Sequence, residues 1–153
     1  MTATEYKAGS NLEKILSEGK FAVTGECGPP KSADGSVIEN KAKILKGFVD
    51  AVNITDNQTA VVRVCSLASG LQAQQNGLEA IMQMTCRDRN RIAMQADILG
   101  AVGLGIRNLT CISGDHQSLG HRAAVPADHC RTSTHPVDPA VVACGPSVRQ
   151  RQA

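Results

Sequence analysis

At 153 residues, the chain has room for one domain with a real core; charged residues make up 20% of it, and the formal net charge is +2. Such a near-balanced charge, with one Tyr, two Phe and no Trp, offers neither the basic stripe nor the stacking platform of a nucleic-acid binder. No apolar run approaches the roughly 18 residues of a membrane span, and MTATEYKAGSNLEK carries no apolar signal core, so a cytoplasmic protein with reduced cysteines is expected.

In chain order, residues 12–19 fit a short amphipathic helix through Leu12, Ile15 and Leu16. Residues 21–27 then read as a strand stopped by Gly28-Pro29-Pro30, because proline cannot continue a ladder. Ser36 followed by Glu39 predicts a capping box opening a helix, with Val37, Ile38, Ala42, Ile44, Leu45 and Phe48 as its apolar face. Residues 50–55 predict a second strand ended by Asp56-Asn57. Residues 59–75 predict a second helix, with Val61, Val62 and Val64 making its start ambiguous with strand and Gly77 marking its end. A third strand over 78–85, a third helix over 90–102 and a fourth strand over 108–113, closed by Gly114-Asp115, complete the series. Cys27, Cys86 and Cys111 fall in or just after apolar runs, where a thiol packs as a small hydrophobe.

Strands alternating with helices point to βαβ units and a parallel sheet. The polar residues gather at the C-terminal strand ends: Glu26, Thr55 and Asp56, Thr85, and Asp115. That edge is where parallel α/β folds bind ligands.

After residue 115 the character changes. All four histidines and four of the six prolines lie in the last 38 residues, which contain no Lys and no Glu and hold no period beyond Val141-Val142-Ala143. Residues 121–153 are read as an irregular tail in the character of an out-of-frame translation, distinct from a 1–120 unit. The spacing of His129-Cys130, His135 and Cys144 fits no standard ligand pattern, so no metal site is expected.

The strand ends carry four motifs in order. Glu26-Cys27-Gly28-Pro29-Pro30-Lys31 resembles the Glu-x-x-Pro-Pro-(Lys/Arg) element of methylenetetrahydrofolate reductases. Val52-Asn53-Ile54-Thr55 is similar to that family's second strand, Met84-Thr85-Cys86 to its Leu-Thr-Cys, and Ile106 to Asp115 to its fourth-strand pattern. The resemblance implies an α/β fold, a partial (β/α)8 TIM barrel containing about the first four βα units. It also implies FAD (FMN in some members) as cofactor and reduction of 5,10-methylenetetrahydrofolate to 5-methyltetrahydrofolate with NADH or NADPH. Within that resemblance Glu26 is the catalytic acid and also meets the folate. Asp115 stands near flavin and pterin, Thr55 meets the isoalloxazine, and Gln83 falls where many members have a flavin-side His. Desolvation beside Pro29-Pro30 would favour the neutral acid that such a role needs. Ser113 stands where many members have Arg, and Gly28 where many have a bulky aromatic. Four strands also leave two open sheet edges, from which a homo-oligomer or a partner subunit is expected. The competing readings are a non-catalytic half-barrel interaction module and another flavin- or pterin-binding barrel; at the residue level Asp115 could also be a helix N-cap and Thr55 a turn residue.

Overall fold

The computed structural model describes residues 6–116, residues 119–120 and the backbone of residues 140–143. After a first helix α1 (Asn11–Ser17), strands and helices alternate: β1 (Thr24–Cys27), α2 (Ser36–Leu45), β2 (Ala51–Ile54), α3 (Ser66–Gln75), β3 (Ala80–Thr85), α4 (Arg91–Gly103) and β4 (Asn108–Ile112). A last strand, β5 (Ala140–Ala143), completes a sheet of order β1-β2-β3-β4-β5. The pairs from β1 to β4 are all parallel, with Glu26 level with Asn53, Ile81 level with Asn108 and Gln83 level with Thr110. This is the α/β arrangement expected of a partial (β/α) barrel.

Each element has a local cause. Ser10 caps α1 by accepting from the Glu13 N–H, and Asn90 caps α4 by accepting from Ala93 N–H. Gly77, with φ of 84°, takes the left-handed turn that ends α3 and lets the chain drop directly into β3. Helices α2 and α3 cover one face of the sheet through Ile38, Ala42 and Ala73 against Cys27, Val52, Ile54 and Ala80. Ala101 of α4 packs with Met82, Met84, Ile106 and Leu109 beside them. Burying a side chain the size of Ile38 or Ile54 contributes about 1.5–3 kcal/mol.

The opposite face is closed at its N-terminal end. Leu12 of α1 packs on Ala51 and Ile81. The Glu79 carboxylate pins the helix there by accepting from the N–H groups of Asn11 at 2.6 Å and Leu12 at 2.9 Å. What remains open on that face is the edge where the strands end.

Several local expectations are corrected. The capping box at Ser36 does not form: Gly35 occupies the cap position in a helical conformation, and the Ser36 N–H is taken by the Asp34 carboxylate at 3.0 Å. Of the apolar face read for α2, Ile38 and Ala42 are buried, whereas Ile44 and Phe48 are 72% and 79% exposed. The second crossover helix starts at Ser66 instead of 59; a 3-10 turn at Gln58–Ala60 and a stretch without regular structure precede it. Val61 takes the extended form that its stiff χ1 favours, and neither Val62 nor Val64 is helical. Cys86 and Cys111 are exposed, not packed: Cys86 falls in the 3-10 turn after β3, and neither joins the cluster that α4 forms with Met82, Met84 and Leu109.

The tail read as irregular contains one strand, and it falls on the Val141-Val142-Ala143 run. It pairs antiparallel with β4, Leu109 opposite Val142, so the β4 edge expected to be open is occupied. The rest of the tail, with His129, Cys130, His135 and Cys144, lies outside the described residues.

Candidate active site at the strand ends

The C-terminal ends of β1 to β4 and the residues just past them frame one open cleft of about 410 Å³, lined by Glu26, Thr55, Asp56, Gln58, Gln83, Ile112, Ser113, Gly114 and Asp115. That volume lies within the ~300–1,000 Å³ typical of small-molecule sites. Glu26, Thr55, Gln83 and Asp115, which the sequence singled out separately, all line this one cleft.

The two-residue alternation of a strand explains the grouping. Cys27, Val52, Ile54, Met82 and Met84 turn toward the helices. Glu26, Asn53 and Gln83 therefore turn the other way. Beside Glu26, the Asn53 side-chain oxygen is buried without a hydrogen-bond partner among the described residues. An acceptor left so is a place where a bound ligand can supply a donor.

Glu26 itself is exposed. The desolvation expected beside Pro29-Pro30 is absent, because β1 is the edge strand and among the described residues no neighbour covers its outer side. Thr55 is the opposite case, 5% exposed, with its hydroxyl donating to Gln58 Oε1 at 2.5 Å.

Two arginines hold the loops that carry these residues. Asp56 is 2% exposed; its carboxylate accepts from the Thr85 N–H at 2.9 Å and is gripped by both terminal nitrogens of Arg89. Arg89 also reaches Asp97 of α4 at 2.9 Å. Burial pushes the Arg89 guanidinium down, but Asp56 and Asp97 outweigh it and hold it above its ordinary value. Arg87 donates to the Asp115 carbonyl at 2.6 Å and to the Asn57 carbonyl at 3.1 Å, tying the ends of β2, β3 and β4 together. Its guanidinium too is held above the ordinary value, first by Asp88 against the opposing effect of burial, then by the charges of Asp115 and Asp56.

Asp115 reaches the cleft through a turn only glycine permits. Gly114 has φ of 84°, and a Cβ there would stand 2.3 Å from the Thr85 methyl. The Asp115 carboxylate then accepts from the Thr59 N–H at 2.5 Å. That bond helps hold Asn57, Thr59 and Ala60 in left-handed conformations (φ of 45°, 58° and 54°) that a β-branched residue such as Thr59 resists.

The chemistry available is that of a polar, acidic cleft. Three carboxylates line it and, among the described residues, no basic side chain does; one of the three, Asp56, is already paired. Such a surface suits a neutral or cationic ring and disfavours phosphate. Gln58, Arg87 and Arg89 were not singled out from the sequence. The alternation Arg87-Asp88-Arg89 after a strand was the one available signal for the arginines. Among the described residues no group of three or more His, Cys, Asp or Glu is arranged to hold a metal, and no helix is long and apolar enough to cross a membrane.

The sequence matches the family described as methylenetetrahydrofolate reductase over residues 11–134, most of its length. The chain belongs to the methylenetetrahydrofolate reductase family. The match begins at the first residue of α1 and takes in every strand that feeds the cleft. Family membership makes it an oxidoreductase-like protein of folate chemistry on a (β/α) barrel fold. No match is found among curated proteins.

Proposed function

We propose that the chain takes part in the flavin-dependent reduction of 5,10-methylenetetrahydrofolate to 5-methyltetrahydrofolate, with NADH or NADPH as the source of reducing equivalents. The observation that carries the proposal is the convergence of Glu26, Thr55, Gln83 and Asp115 on one cleft in a member of this family.

The residues present fit a flavin ring. The cleft is open, Thr55 and Gln58 offer hydrogen-bonding atoms at one wall, and Asn53, level with Glu26 on the neighbouring strand, has a buried acceptor without a partner among the described residues. Thr55, Gln83 and Asp115 would hold the isoalloxazine of FAD, or of FMN, which supplies a two-electron carrier between the nicotinamide and the folate.

Glu26 is assigned the proton transfer. Opening the five-membered ring of the substrate requires a proton on a ring nitrogen, and a carboxylic acid within hydrogen-bond reach delivers it. Asp115 is assigned the stabilisation of the positive charge that develops on the opened folate, and Gly114 fixes where that charge can be met.

Glu26→Gln tests the assignment. Folate reduction should fall about 10²–10⁴-fold while reduction of the flavin by NAD(P)H persists, because only the folate half-reaction needs the acid. Equal loss of both half-reactions would overturn the role given to Glu26.

A further inference from the structure

One contact in the cleft belongs to a residue that no motif marked. Gly28 has no side chain, and the space above it is taken by Gln58: a Cβ at position 28 would stand 3.0 Å from Gln58 Nε2 and 3.5 Å from Thr55 Oγ1. The Gln58 amide nitrogen and the Thr55 hydroxyl oxygen therefore lie side by side on one wall of the cleft. Their polarity is fixed by the bond between them. Thr55 spends its proton on Gln58 Oε1, so toward a ligand Thr55 Oγ1 can only accept. Gln58 Oε1 is occupied, so toward a ligand Gln58 offers its Nε2 donors.

We propose that Gln58 is a ligand-reading residue that, with Thr55, binds a cyclic-amide edge, a ring C=O adjacent to a ring N–H. The carbonyl accepts from Gln58 Nε2 and the ring N–H donates to Thr55 Oγ1. Rings that lack the N–H leave Thr55, a 5%-exposed hydroxyl, facing an unmatched group. The proposal rests on the flavin–folate function above, because the isoalloxazine and the pterin both present such an edge. Gly28 is part of the device: any side chain there displaces the Gln58 amide.

The test is a titration of the full chain with lumiflavin, 3-methyllumiflavin and folic acid, read by fluorescence quenching. Wild type should bind lumiflavin, folic acid or both, and 3-methyllumiflavin about tenfold more weakly than lumiflavin. Gln58→Leu, Gln58→Glu and Gly28→Ala should each weaken the favoured ring about five- to tenfold, with thermal melts unchanged. Gly28→Ala in the Gln58→Leu background should cost nothing further, because both changes act through one amide. The ring whose affinity falls in these variants is the one whose edge is read. Wild-type affinity in both Gln58 variants, or fully additive losses in the double variant, would overturn the proposal while leaving the proposed function standing. Failure of the wild type to bind either ring would instead overturn the proposed function, and this proposal with it.

Discussion

Buried Cys27 sits on the helix side of β1, one position after Glu26 on the cleft side, so adjacent residues meet opposite surroundings. Burial pushes the Cys27 thiol above its ordinary value, with Lys41 partly offsetting it. Since the thiolate is the nucleophile, Cys27 should resist iodoacetamide at pH 8 while exposed Cys65 and Cys86 react, and its labelling should rise only at higher pH or in denaturant. Mass-spectrometric mapping of the alkylated peptides checks this; labelling of Cys27 as fast as Cys65 would mean that the seam between β1 and α2 opens freely. At this scale the sequence was informative where chemistry and strand period coincide. Glu26, Thr55, Gln83 and Asp115 could be picked out because each falls at a strand end. Exposure was not legible: whether Glu26, Cys86 or Cys111 is covered depends on which neighbouring element reaches it, and no local pattern encodes that.

Between elements, the ends of β2, β3 and β4 are joined by charge. The buried Asp56 carboxylate meets Arg89 and the Thr85 N–H, and Arg89 passes on to Asp97 at the surface. The two carboxylates should differ sharply in what they contribute. Asp56→Asn leaves a mostly buried guanidinium with one carboxylate partner and should cost about 2–4 kcal/mol, discounted from the ~3–5 of a fully broken buried pair because Asp97 remains. Asp97→Asn, at a side chain 37% exposed, should cost under about 1 kcal/mol. Urea denaturation of the two variants compares them directly, and equal losses would contradict the view that Asp56 is the keystone of the loops. The strand–helix alternation was readable because its periods are local. The start of α3 was not, since the Val61–Val64 stretch satisfies both a helix and a strand pattern, and the loop before it is held by Asp115 and Arg87 from distant strands. Gln58 escaped notice for the same reason: its significance arises from the space above Gly28, a contact 30 positions away in the chain.

For the molecule as a whole, α1 closes one end of the sheet's inner face through Leu12, and the acidic cleft opens at the other end, where the strands finish. β1 keeps an unpaired edge among those residues, and Glu26 stands on it; β4 is covered by β5. Parallel topology was legible from the repeat, whereas the antiparallel return of Ala140–Ala143 onto β4 was not, because a short apolar run does not declare its partner. The cleft of this methylenetetrahydrofolate reductase family member is proposed to be a flavin site. The most direct measurement is the visible absorbance spectrum of the purified chain after incubation with FAD or FMN and removal of free ligand. A retained flavin at one per chain, lost in the Thr55→Val, Asp115→Ala double variant, is the predicted result. A colourless protein that retains no flavin under those conditions would contradict it.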